Sequence, residues 1–151
     1  MIFGGTDTMR KLFGFLCVFL ILLAGCGVRK NYSTAQKESN VVRIEIINIK
    51  KWYNHTPGND YEFDVVCEIA EAYHATFLKE LYDLPCSHYY GSPYDGIMED
   101  AIRITYKDGS FELVTERSVY YETANGAWAY PSYDFEQEPF EGFVTSWKLQ
   151  T

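Results

Sequence analysis

Chemistry needs side chains that exchange protons, hold metals or grip a ligand, and three groups in this 151-residue chain have the right types. Asp95, Glu99 and Asp100 gather three carboxylates around and after a Pro-Tyr-Asp-Gly turn. Close carboxylates can hold Ca²⁺ or divide the acid and base roles of a hydrolase. Their spacing is not that of an EF-hand, and such charge runs more often form a solvated edge. His74, Cys86 and His88, with Cys67, are soft-metal ligand types. The plainer reading puts Cys67 in a core, His74 on a helix surface and His88 in a loop, so neither a metal nor another cofactor is expected. Trp52, Tyr89, Tyr90, Tyr94, Trp128 and Tyr130 gather near turns, with Tyr53 and Tyr133 beside them. Exposed aromatic rings mark binding surfaces, and flat rings suit sugars or peptides. The chain has no phosphate-binding glycine loop, Gly-x-Ser-x-Gly elbow, His-Glu-x-x-His helix or Cys-x-x-Cys pair.

The elements that must position these groups follow from periodicity. Val41 to Ile49 is β-branched and partly alternating, with Val42, Ile44 and Ile46 on one face of a first strand. A turn cluster, His55-Thr-Pro-Gly-Asn, follows. Val66, Ile69, Ala70, Tyr73, Phe77, Leu81 and Leu84 have helical spacing, which predicts one helix from Asp64 to about Asp83, ended by Pro85. That helix would hold Cys67 and Cys86 too far apart for a disulfide. Residues 86–98 then read as a long loop. Asp108-Gly109 and Asn125-Gly126 each predict a type I′ hairpin. The first would pair Tyr106 with Phe111, Ile104 with Leu113 and Ile102 with Thr115. The second would pair Thr123 with Trp128 and Tyr121 with Tyr130. Asp134 and Gln137 suggest a capping box before a last helix, whose Phe140, Phe143, Val144 and Trp147 form one stripe. The order β-α-β-β-β-β-α predicts an α+β domain, an antiparallel sheet of about five strands with two helices packed on one face.

Ahead of this domain, Arg10-Lys11 precedes an apolar run, Leu12 to Leu23, and then Ala24-Gly25-Cys26. The run is shorter than the roughly 20 residues of a spanning helix. The pattern of basic, apolar and small residues ending in cysteine resembles the lipobox signal peptide of bacterial lipoproteins. The resemblance implies cleavage before Cys26 and acylation of its thiol. It thereby implies anchoring on the outer face of the cytoplasmic membrane. Residues 1–25 are then the signal peptide, 26–40 a flexible tether and 41–151 the folded domain. Asp7 lies where a basic segment is expected, so Met9-Arg10-Lys11 is the expected start of translation.

Charge is unevenly spread along the chain, whose net charge is −8. Residues 26–51 carry six basic groups against two acidic ones, a net of +4, which suits anionic head groups. Residues 52–151 carry five basic and eighteen acidic groups, a net of −13. A polyanion would be repelled, so nucleic acid is not an expected partner. A cationic peptide, a protein or cell-wall material is.

The pattern Ile-Arg-Ile-Thr-Tyr-Lys-Asp-Gly-Ser-Phe-Glu-Leu-Val at 102–114, with Tyr-Asp-Phe-x-x-Glu-x-Phe at 133–140, resembles small uncharacterised lipoproteins of Gram-positive bacteria. The likeness spans most of residues 41–147 and carries no catalytic residue across. The expected role is a non-enzymatic, lipid-anchored binding domain. The alternatives are a small cell-wall hydrolase using the carboxylates, or a structural envelope lipoprotein.

Overall fold

A computed structural model describes residues 31–52, 61–88, 99–126, 128–129 and 133–150. Its centre is the isoleucine-rich segment Val41–Trp52, strand β1. β-branched side chains suit a pleated surface covered on both sides. Ile44, Ile46, Ile47 and Ile49 are all fully buried. β1 pairs antiparallel on one side with β2 (Tyr61–Glu68) and on the other with β4 (Glu99–Tyr106). Beyond β4 come β5 (Phe111–Val114), β6 (Val119–Glu122) and the two-residue β7 (Trp128–Ala129). The sheet order is β2-β1-β4-β5-β6-β7. β3 (Cys86–His88) and β8 (Tyr133–Phe135) form a separate two-stranded sheet.

Two helices cover one sheet face, α1 (His74–Asp83) and α2 (Gln137–Lys148). Phe77, Leu78 and Leu81 of α1 join Phe140, Phe143, Val144 and Trp147 of α2 over Ile44, Ile46, Ile102 and Ile104. Phe77 meets Phe143 and Trp147 edge-on at 4.9 and 5.1 Å. The Trp147 indole N–H donates to Glu80 at 2.9 Å, tying the helices together. The predicted class therefore holds. The chain is α+β, with an antiparallel sheet, two helices on one face and the predicted stripe of α2 buried.

Several details differ. The helix expected from Asp64 begins only at His74, after a single 3₁₀ turn at Glu71–Tyr73, and residues 61–68 are strand β2. The open edge of β1 won this segment by pairing Cys67 with Ile46 and Phe63 with Ile49. Val66, assigned to the helical stripe, is 46% exposed. Cys67 and Cys86 consequently lie in two different strands, as free thiols. The capping box does not form. Asp134 lies in β8 opposite Ser87, and Glu136 precedes α2 without a side-chain cap. Of the long loop, Cys86–His88 is β3 and residues 89–98 lie outside the described residues.

Both hairpin registers shift by one residue. Ile104 pairs with Glu112 and Ile102 with Val114, while Tyr121 pairs with Ala129 and Glu122 with Trp128. A type I′ turn needs positive φ at both central residues. Here only Gly109 and Gly126 have it, at 85° and 75°, and no described non-glycine residue does. Each glycine N–H instead donates to the carbonyl three residues back, Tyr106 and Thr123. This is a type I turn followed by a left-handed glycine, a three-residue loop. Asp108 fixes the first loop by accepting from the Ser110 N–H at 2.9 Å. A one-residue slip exchanges the two faces of a strand, and it places Glu112 on the same face as Ile104.

The tether prediction also fails where it can be seen. Tyr32 is 2% exposed, and residues 32–40 run across the domain as a docked strap. A polar, aperiodic sequence hid this, because the strap is held chiefly by hydrogen bonds to groups far along the chain. Residues 26–30 lie outside the described residues.

Candidate functional site

Most sequence-predicted site residues fall in or beside undescribed segments. Cys26, Tyr89, Tyr90, Tyr94, Asp95 and Tyr130 lie outside the described residues. Trp52 pairs through its backbone with Tyr61, and Trp128 with Glu122. Their strands, β1 and β7, have three others between them, a separation of about 19 Å at ordinary strand spacing. The two tryptophans therefore belong to different parts of the sheet.

Of the acidic cluster, Glu99 pairs through its backbone with Ile49, at the start of β4. Asp100 is occupied. Its carboxylate accepts from Lys148 at 2.6 Å and from the Asn48 amide at 3.4 Å. That ion pair joins β4 to the last turn of α2. The His74 ring bonds the Ile69 carbonyl at 3.0 Å. Among the described residues no three His, Cys, Asp or Glu side chains converge as a metal site.

The structure brings other charged groups together. Glu112, in the middle of β5, is 1% exposed. It accepts hydrogen bonds from the Tyr32 hydroxyl and from the Ala35 backbone N–H. Tyr32 is itself boxed by Tyr82, Tyr133 and Phe135, with ring centres 5.5 to 5.9 Å away. Burial pushes the Glu112 carboxyl up to about 6, and these donors pull against that rise. Burial and the neighbouring carboxylate hold the Tyr32 phenol far above its usual range. Further along the strap, the Gln36 amide donates to Asp108 and Ser110 at 2.8 Å each and to Tyr121 at 3.2 Å. The Lys107 N–H donates to the Asn40 carbonyl at 2.9 Å.

The opposite sheet face carries a second charged row. Glu45 is 5% exposed and faces Arg103 across the β1–β4 pair, with Arg103 Nη1 3.7 Å from Glu45 Oε2. That is ion-pair range without hydrogen-bond contact, and Glu45 Oε2 has no hydrogen-bond partner among the described residues. The guanidinium stacks over Phe111 at 4.6 Å and Phe63 at 5.3 Å. Glu122, also buried, has its carboxyl raised by burial, with Arg103 opposing. Burial pushes the Tyr61 phenol up to about 12. Ile47, Ile49, Ala101, Leu113 and Tyr120 complete this apolar face.

Among the described residues, the outer edge of β2 is accessible. Val65 is 50% exposed beside Val66, and Glu62, Asp64 and Glu68 are exposed with them. Val66 is the extra residue of a bulge, since Cys67 and Val65 pair with consecutive residues of β1. Asp64 meets Lys50 at 2.5 Å and Glu68 meets Arg43 at 3.8 Å. Both pairs are exposed, the kind that contributes little stability.

Sequence reasoning missed Glu112, Glu45, Arg103 and the β2 edge. The available signal for Glu112 was a glutamate inside the run Phe-Glu-Leu-Val, an ionisable group in a strand buried on both faces. No protein-family model matches the chain, and neither a curated protein nor a solved structure matches it.

Proposed function

We propose that this chain is a lipid-anchored, extracytoplasmic interaction domain that receives an extended, cationic segment of a partner protein along β2. The lipid anchor rests on the residues through Cys26. The observation that carries the interaction is the β2 edge. It is eight residues long, lies at the border of the sheet and exposes Val65 and Val66 among acidic residues. An extended peptide can add to such an edge through main-chain hydrogen bonds, with alternate side chains giving specificity. The bulge and the carboxylates discourage pairing with a second copy of the same acidic strand. They leave a basic strand favoured, and the acidic field of residues 52–151 would speed its approach. Asp100 supports this reading over a hydrolase, because its carboxylate already serves Lys148 and Asn48.

The test is amide-resonance mapping with a lysine-rich, β-forming peptide and its glutamate counterpart at low and high salt. Shifts concentrated on Glu62 to Glu68, lost in a Glu62→Lys/Glu68→Lys variant, support the reading. Shifts spread over every acidic surface, and vanishing together with salt, would leave only non-specific attraction. The anchor is tested separately. Cys26→Ser should abolish acylation and leave an unprocessed or released protein, and unchanged membrane retention and mass would refute the lipoprotein assignment.

A further inference from the structure

The place where the strap docks has a geometric consequence for the anchor. Tyr32 is fixed against α1 through Tyr82 and against the small sheet through Tyr133 and Phe135. Its backbone also lies beside Cys86 of β3 and pulls back part of the rise that burial gives the Cys86 thiol. The chain therefore leaves the folded domain next to β3, β8 and the end of α1. Only five residues separate Cys26 from Tyr32. Six extended steps reach at most about 22 Å. A free tether from Cys26 to Val41 would reach about 54 Å, so docking removes more than half of the leash. A domain of this size has a radius of gyration of about 14 Å and is roughly 35 Å across. The leash is shorter than the body it holds, and the body cannot turn its far side toward the anchor.

We propose that the docked strap holds the domain close against the bilayer in one orientation, with the surface around the small sheet and the C-terminal end of α1 facing the lipid head groups. This rests on the lipoprotein reading of Cys26. Glu112 and the aromatic box around Tyr32 set the exit point, and the sequence after Cys26 sets the distance. Arg29 and Lys30 fall inside the leash, where anionic head groups attract them. β2 lies three strands from β5, about 14 Å to the side at ordinary spacing, so the edge offered to a partner is displaced from the strand that holds the strap.

The experiment uses the full lipidated chain in vesicles of phosphatidylglycerol and phosphatidylcholine with an acceptor dye on the head groups. A donor is placed by non-cysteine chemistry at exposed Asp83, at the end of α1, or at exposed Asp64 on β2. Energy transfer from position 83 should exceed that from position 64 at least twofold. A twenty-residue Gly-Ser insertion between Arg29 and Lys30 leaves every docked residue intact. It should lower transfer from position 83 and bring the two positions together. Equal transfer from both positions in the lipidated parent, or transfer unchanged by the insertion, would overturn the proposal. Mass spectrometry of the same sample reports the Cys26 lipid independently, and its absence would overturn the lipoprotein reading as well.

Discussion

Tyr32 and Glu112 stand 80 residues apart in the chain, and inside the core the phenol of the first donates to the carboxylate of the second. The Tyr32 hydroxyl therefore supplies the buried carboxylate with a side-chain donor. Tyr32→Phe retains the ring in its aromatic box and removes only the hydroxyl. It should cost about 1.5–3 kcal/mol, the range for a hydrogen bond to a charged group. Urea unfolding of the variant measures this. A change within about 0.5 kcal/mol, ordinary for a surface substitution, would mean that the strap is not docked through this contact.

Glu112 also gives stability a pH dependence of definite sign. Burial raises its carboxyl from 4.5 to about 6. Between those values the folded protein holds a proton that the unfolded chain has lost. The contribution is complete below pH 4.5 and fades as pH rises through about 6, a loss of about 2 kcal/mol. Glu116 and Glu122, also raised by burial, act in the same sense. Asp108 acts in the opposite sense, but only in more acidic solution, because hydrogen bonds from Ser110 lower its carboxyl. The urea midpoint should be higher near pH 5 than near pH 7.5, and Glu112→Gln should flatten that slope. A parent midpoint that climbs over this interval contradicts the assignment.

Phe143 is 8% exposed and packs edge-on against Phe77. Phe143→Ala should cost about 3–5 kcal/mol, as for other core phenylalanines. Thermal or urea denaturation reads this directly, and a near-neutral result would remove α2 from the sheet.

Gly109 and Gly126 differ from an ordinary loop glycine only in backbone conformation. An added Cβ at either would meet nothing within 4 Å. Alanine there should cost about 1–2 kcal/mol through the left-handed φ alone. If both alanine variants match the parent in stability, the three-residue loops are misassigned.

Periodicity was a good guide where one face is buried and the other is wet. The stripe Phe140, Phe143, Val144 and Trp147 is such a case, and all four side chains are buried. β5 is buried on both faces, so alternation could not set its register, and the choice fell to loop geometry. Asp-Gly and Asn-Gly fit two kinds of turn, and only the φ angles distinguish them. The spacing from Asp64 predicts a helix, but the outcome for residues 61–68 depended on the open edge of β1, whose paired residues lie 9 to 23 positions earlier in the chain. Of the candidate site, the aromatic and acidic residue types were visible. Their neighbours were not, because Asp100 finds its partner 48 residues away and Glu112 finds its own 80 away.

Among the described strands β1 is the first to be synthesised, and it lies between β2 and β4 in the finished sheet. Its β2 side can close once Glu68 has been made, but its other side waits for Tyr106. At about 5–20 residues per second, the 38 residues that follow Glu68 up to Tyr106 take roughly 2–8 s to make. For that interval the segment Ile-Glu-Ile-Ile-Asn-Ile has one unpaired edge, and little charge to keep two nascent chains from joining through it. Slowing synthesis between Glu68 and Glu99 should therefore increase aggregation during production, while leaving the stability of the finished protein unchanged.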